Sequence, residues 1–349
     1  MINNTSVPTK KFLSFQIDPE LFEPATEEQK RQQEIDKPGM SFFKDALRRL
    51  WRNKLAMTCF FIIVLISLIA FVVPPIYPYT YTKQDVSAQY LEPFEYSAKE
   101  QARIERGEKV FPHIMGTDHL GRDYAIRVIY GTRISLLVGL VASIIVVIIG
   151  ILYGSISGYF GGRTDLIMMR IVDLIYSLPD VLIVILLSVA IGNIVSTSKS
   201  DLVLRLGSGM ISIFLVFGLL YWVGMARQVR GQVLSIKEQE FVLAARASGA
   251  GARRIIIKHL LPNCVSVIII TAAMQIPSAI FTESFLSFLG LGVSIPMPSL
   301  GSLANDARNG LVSYPFLLLF PALTIFLIVL SFNLLGNGLR DAFDPKLRN

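Results

Sequence analysis

Six long apolar runs, separated by polar segments, set the pattern of this sequence. A helix that crosses the roughly 30 Å hydrocarbon core of a bilayer needs about 20 apolar residues at 1.5 Å each. The first run, about Leu55–Pro75, reads LAMTCFFIIVLISLIAFVVPP, and the second, about Ile134–Ser157, reads ISLLVGLVASIIVVIIGILYGSIS. The third covers about Leu166–Ile191 and contains polar residues. The fourth, about Met210–Met225, is short and extends toward Arg227; the fifth covers about Cys264–Leu286 and the sixth about Phe316–Leu335. The pattern predicts an all-α membrane protein with six transmembrane helices.

Lys and Arg at the ends of the runs orient them, because cytoplasmic flanks carry the basic excess. Lys44, Arg48, Arg49, Arg52 and Lys54 precede the first run, opposed only by Asp45. Arg227, Arg230, Lys237, Arg246, Arg253, Arg254 and Lys258 lie between the fourth and fifth, against Glu238 and Glu240. The tail has Arg340, Lys346 and Arg348, whereas the loop between runs one and two is balanced in charge. Six spans with both termini in the cytosol satisfy all of these signs; five would put a basic segment outside. The long loop is then extracytoplasmic. Tyr77, Tyr79 and Tyr81 at its start suit the interface, and Ser97–Glu108 is polar and helix-prone.

Composition agrees with a lipid-embedded chain. Of 349 residues, 52% are apolar and 17% charged, with mean hydropathy +0.55, against about 25% charged in soluble domains. The net charge of +7 does not point to nucleic acid, because the basic residues flank apolar runs; anionic lipid accounts for them better. Cys59 and Cys264 fall in or beside apolar runs and predict neither a disulfide framework nor a metal site. His113, His119 and His259 are too scattered for a metal cage. The first run starts near Leu55 behind a polar leader, so no cleavable signal peptide is expected. Met1 to about Lys37 reads as a loosely ordered cytosolic tail. No G-x-x-x-x-G-K-[ST] phosphate loop occurs, so the chain is expected to bind no nucleotide cofactor and to hydrolyse no ATP itself.

The segment Glu238–Asn263, EQEFVLAARASGAGARRIIIKHLLPN, reads as two short helices with a break. Ala244 and Ala245 leave a face without bulk that another protein can approach closely. Gly249 allows a turn that a Cβ would resist. Helical spacing resumes from Ala252 to His259, and Pro262 is expected to close it before the fifth run. A second informative stretch, Met115–Gly139, reads MGTDHLGRDYAIRVIYGTRISLLVG. It is a polar Gly-rich turn leading into an amphipathic approach to run two, with Asp118 or Asp123 placed to cap a helix.

The first segment resembles the "E-A-A, then Gly, then Leu-Pro" loop of bacterial ABC importer permeases, through Ala244, Ala245, Gly249, Leu261 and Pro262. It departs from that pattern at the first position, where Leu243 replaces Glu; Glu240 lies one turn earlier. The second resembles the C-type permease subunit of oligopeptide and dipeptide importers, through Gly116, Thr117, Asp118, Gly121, Arg122, Asp123, Tyr130, Gly131, Arg133, Ile134 and Ser135. FFKDALRRLWRNKLA (Phe42–Ala56), GYFGGRTDLIMMRIVDLIYSLPDVL (Gly158–Leu182) and TESFLSFLGLG (Thr282–Gly292) extend the likeness to nearly everything after Phe42.

The resemblance implies the type I ABC importer permease fold, with this division: a cytosolic tail 1–41, the approach and first span 42–75, an extracytoplasmic loop 76–131, the permease domain 132–338 and a cytosolic tail 339–349. It implies a coupling loop at Glu240, Ala244, Ala245, Gly249, Leu261 and Pro262 that docks on an ATPase. It also implies a homologous permease partner forming a heterodimer, two cytosolic ATPase subunits that hold ATP and Mg, and an extracytoplasmic substrate-binding protein. The loops near Asp118 and Asn305 are where that binding protein, or substrate, would touch. The implied activity is import of oligopeptides or dipeptides across the cytoplasmic membrane by alternating access; nickel, antimicrobial peptides or glycosides are alternatives on the same architecture.

Polar residues within the runs are expensive in lipid. Arg170 and Asp173 share a helix face and are expected to pair. Asp180, after Pro179, and Glu283 are candidates for lining the translocation path. Pro277 is placed to kink run five, and Gly150, Gly154 and Gly158 should let run two pack closely on a neighbour. Two other classes compete. An intramembrane enzyme needs ionisable residues converging mid-membrane, and Asp180 stands nearly alone. An ion-driven carrier needs no ATPase partner.

Overall fold

The computed structural model describes residues 42–197, 207–293 and 297–343. The expected N-terminal tail 1–41 and residues 344–349 of the expected C-terminal tail lie outside them. The described residues form thirteen α-helices and no strand; one isolated antiparallel bridge joins Thr117 to Asp123. In chain order the helices are α1 Phe42–Arg52, α2 Lys54–Val72, α3 Ala98–Glu105, α4 Tyr124–Phe160, α5 Gly162–Ser177, α6 Asp180–Ser196 and α7 Ser208–Val216. Then follow α8 Trp222–Ile236, α9 Glu240–Ala247, α10 Ala252–Ile255, α11 Leu261–Phe288, α12 Leu300–Asp306 and α13 Phe316–Phe343.

Five helical runs are long and apolar enough to span a membrane: α2, α4, α7 to α8, α10 to α11, and α13. The expected third span is different. It is two helices, α5 and α6, bent by 93° at Leu178–Pro179. The cause is local: Pro179 restricts Leu178 to extended backbone (ψ 143°) and ends α5 there. The described residues therefore hold five helices long and apolar enough to span, or six if the bent pair crosses as one. The expected fourth span runs longer than Met210–Met225, through a π-turn at Phe217–Tyr221 to Ile236.

A second π-turn, Ile256–Leu260, joins α10 to α11 without a break. Pro262 therefore does not close a helix. It stands two residues past the π-turn, inside a helical run continuous from Ala252 to Phe288. The expected Ser97–Glu108 helix is α3, closed by a capping box between Ser97 and Glu100.

The core is α8 laid along α4. Glycines at four-residue spacing on α4 make the contact possible. A Cβ on Gly150 would come within 2.5 Å of the Met225 side chain, and one on Gly154 within 2.4 Å of the Ala226 carbonyl. Val138, Ala142, Val146, Val229 and Val233 are buried in the same apolar cluster. α11 packs on α4 and α13, and α2 packs on α13, where Gly338 admits Ala56. Outward faces are apolar, with Phe61, Leu65 and Leu68 on α2 and Leu319, Leu323 and Phe326 on α13 all exposed.

α5 is clamped to α8 by ion pairs. Asp165 accepts from Arg230 Nε at 2.5 Å and Nη2 at 2.6 Å, and from Ser157 Oγ at 2.5 Å. Asp173 accepts from Arg227 Nη2 at 2.7 Å, and Arg227 lies 4.2 Å over the Tyr176 ring. The partner of Asp173 is thus Arg227 of α8, in place of the expected Arg170. Joining two helices gains more contact than pairing within one, and the Tyr176 ring fixes the guanidinium plane.

Candidate functional site

Two constructions occupy opposite ends of α4. Its 37 residues measure about 55 Å, well beyond the bilayer's apolar core. At its C-terminal end lies a short elbow, α9 and the turn after it. Val242 is fully enclosed and anchors α9, and the Arg246 guanidinium stands 5.8 Å over the Tyr159 ring near the end of α4. The opposite face is open: Phe241, Leu243 and Ala244 are exposed, as is Glu240, while Ala245 is half-buried.

The elbow turns at Gly249, where φ is +81°. The Gly249 N–H donates to the Arg246 carbonyl at 3.0 Å and the Ala250 N–H to the Ala245 carbonyl at 3.0 Å. This is a Schellman cap, which favours glycine because a Cβ is strained in left-handed backbone. Nothing lies within 4 Å of where its Cβ would stand, so conformation, not crowding, selects glycine. Leu261 and Pro262 are placed apart from this turn, at the start of α11. Arg253, Arg254 and Lys258 are exposed between them.

At the N-terminal end of α4 the chain ties a buried knot. Asp118 is 2% exposed. Its carboxylate accepts from the Arg122 N–H at 3.0 Å, Arg122 Nε at 2.7 Å, the Leu120 N–H at 2.9 Å and Arg127 Nη1. Burial by itself favours the neutral acid, but the charges of Arg127 and Arg122 and the Arg122 backbone bond outweigh it and hold the pKa below the usual carboxylate range. Arg127 Nη2 continues to Asp306 at 3.3 Å, at the end of α12.

Thr117 accepts from the Leu91 N–H at 2.8 Å and donates to the Ala88 carbonyl. Gly116 and Gly121 have φ of +73° and +67°, and backbone carbonyls at Leu91 and Asp85 occupy the space of a Cβ. Asp123 caps α4 by accepting from the Ile126 N–H at 2.9 Å. The three tyrosines expected at the interface join this knot: Tyr79 stacks on His113 and Tyr81 on Tyr130.

The signature residues of this stretch thus converge, but inward. Of its tip, His119 is exposed and Asp118 is not. The sequence reading missed Arg127, Asp306, His113 and Glu100 as members. The available signal was the charge pattern, since Asp118, Arg122, Asp123 and Arg127 alternate in sign at the head of an apolar run.

Two comparisons with known proteins bear on these ends. Residues 150–349, which include the elbow, match the binding-protein-dependent transport system inner membrane component, and residues 41–93 match the N-terminal TM domain of oligopeptide transport permease C. The chain belongs to this permease family. It is 41% identical over 332 residues to the oligopeptide transport system permease protein OppC of Bacillus subtilis, covering 95% of this chain and 99% of that one. It is 43% identical to the dipeptide transport system permease protein DppC of the same organism, covering 95% of each chain. It is 36% identical to the glutathione transport system permease protein GsiD of Pectobacterium atrosepticum, over 90% of this chain and 94% of that one. Family membership and the apolar helices together make this a multi-pass membrane protein.

Within the permease, the two candidate path residues fare differently. Asp180 starts α6, and its side chain lies outside the described residues. Glu283 is fully enclosed on α11. It accepts from Ser135 Oγ of α4 at 2.8 Å and Ser287 Oγ at 2.7 Å, and Ser135 also accepts from the Leu300 N–H at 3.3 Å. This carboxylate ties α4, α11 and α12 together and faces serines on every side shown.

Proposed function

We propose that the chain is one of two channel-forming subunits of an ATP-driven importer of oligopeptides or dipeptides, working by alternating access and coupled to separate ATPase subunits. The observation that carries this reading is the elbow. α9 follows the α7–α8 span and leads through α10 into the α11 span, is anchored inward by Val242, and offers Phe241, Leu243 and Ala244 outward. Apolar side chains exposed among basic residues at a membrane surface fit a protein groove better than water. Pushed from outside, such a lever moves two spans together. The basic residues around it support a cytosolic side for this face, and for both termini. The knot at the other end of α4 is then extracytoplasmic and supports docking of a substrate-binding protein through its exposed tip, His119, and through the half-buried Asn305, with Asp118 holding the tip's shape.

The names of the relatives support peptides as cargo and give no support to nickel or sugar. The test is reconstitution of the chain with a homologous permease, two ATPase subunits and a binding protein in proteoliposomes. ATP-dependent accumulation of a labelled tripeptide is expected. Accumulation without ATP, or of a metal or sugar and no peptide, would sink the reading.

A further inference from the structure

The apolar exterior of the spans is interrupted between α8, α11 and α13. A cavity of about 330 Å³ opens there, lined by Gln228, Thr271, Met274, Gly336, Asn337 and Arg340. Gly336 is buried against Met274, whose sulfur would lie 2.4 Å from a Cβ there, so the floor is tight and apolar. The rim is polar. Gln228, Asn337 and Arg340 are exposed and lie toward the helix ends whose Arg227, Arg230 and Arg340 flank the spans. Polar side chains exposed at that level face water or another protein rather than hydrocarbon, whereas the exposed leucine and phenylalanine faces of α2 and α13 suit lipid.

The donor set has a direction. A guanidinium, two carboxamides and a hydroxyl surround the cavity, and no carboxylate lines it. Such a site repels cations and receives a carboxylate, for which guanidinium geometry is suited. The volume falls at the low end for pockets that enclose a small molecule, and the Met274 floor accepts an apolar side chain beside the anion. We propose that this cavity is a carboxylate-binding station on the substrate path, where Arg340 and Asn337 hold the C-terminal carboxylate of a peptide nearing release. The proposal rests on the peptide-importer reading and names where that substrate is held.

The test uses the assembled complex in proteoliposomes with a charged methanethiosulfonate as the probe. The native Cys59 and Cys264 are both buried. Asn337→Cys is expected to react, and Leu327→Cys, on the lipid face of the same helix, is not. Trialanine at about ten times its Kd should slow the reaction at Asn337→Cys about tenfold, and trialanine amide at the same concentration should not. Uptake should then follow the charge: Arg340→Gln loses about tenfold, and Arg340→Lys, which keeps the charge but not the fork, loses less.

Equal slowing by both peptides, or no reaction at Asn337→Cys, would overturn the assignment. Slowing by added phosphatidylglycerol in place of peptide would give the cavity to a lipid headgroup and overturn it too. If the unaltered complex imports trialanine while neither protection nor an Arg340→Gln effect is seen, only this site is refuted. If it imports no peptide, the underlying function falls with it.

Discussion

The Nδ1 of His113 lies 2.7 Å from Oδ2 of Asp123, the residue that caps α4. Its Nε2 lies 3.1 Å from Glu100 of α3. A neutral imidazole has one N–H and can satisfy one of these carboxylates; the imidazolium satisfies both. Burial alone lowers the imidazolium pKa, but the hydrogen bonds and charges of Asp123 and Glu100 outweigh it, and the net shift is upward. Tyr77 and Tyr79 face the same carboxylates; burial and those charges push Tyr79 up to about 12 and Tyr77 the same way, so both stay protonated. Arg103, also near, is engaged with Glu108 at 2.6 Å.

The sign follows. A raised histidine pKa gives stability that is complete below the unfolded value of about 6.5 and is lost as pH rises through the folded value. Amide exchange protection in 98–105 should fall as pH rises above about 6.5, and His113→Gln should flatten the curve. An unchanged slope in that variant would refute a role for the His113 bridge between Asp123 and Glu100.

Asp118 and Asp306 both meet Arg127, but unequally. Asp118 is 3% exposed at its side chain and Asp306 33%. Removing a partner from a buried pair leaves an uncompensated charge. Asp118→Asn should therefore lower stability by about 3–5 kcal/mol, and Asp306→Asn by about 1 kcal/mol or less. Thermal unfolding of the purified chain in detergent measures the order; equal losses would show that Arg127 is shared evenly.

How far the residues alone reach is clear from these groups. The apolar runs gave the helices because lipid demands long apolar stretches, and Gly249 gave its turn because left-handed backbone selects glycine. Gly150 and Gly154 were legible as a packing edge, though not the identity of α8 as the neighbour. The 93° bend was within reach, since Leu178–Pro179 stands in the run. The partner of Asp173 was not: a helical spacing rule offers Arg170, and only the tertiary fold brings Arg227. Glu283 read as a path residue because a lone carboxylate in a span is conspicuous, and the serines that enclose it come from distant helices.

Gly154 offers a test of the α4–α8 seam. Gly154→Ala would bring a methyl to 2.4 Å from a backbone carbonyl that cannot retreat without moving α8. The expected loss is about 1–3 kcal/mol. Gly224→Ala on α8, with nothing within 4 Å, should be neutral or stabilising by up to about 1 kcal/mol. Differential scanning of the two purified variants compares them, and a stable Gly154→Ala chain would mean that the helices do not touch here.

Gly249 separates two ways in which the elbow could fail. Open space around it means that side-chain size alone costs nothing, while a φ of +81° penalises every side chain and a β-branched one most. Asn tolerates this backbone far better than Val. Gly249→Asn should thus retain most ATP-dependent peptide uptake. Gly249→Val, strained by about 1–3 kcal/mol, should relax by rotating α9 away from Val242's seat. Membrane insertion should be unaffected in both, because no span contains the turn. In the assembled complex, Gly249→Val is expected to keep ATP hydrolysis and lose uptake, the signature of a lever that no longer transmits. Normal uptake at normal expression, or equal loss in both variants, would remove Gly249 from the coupling path.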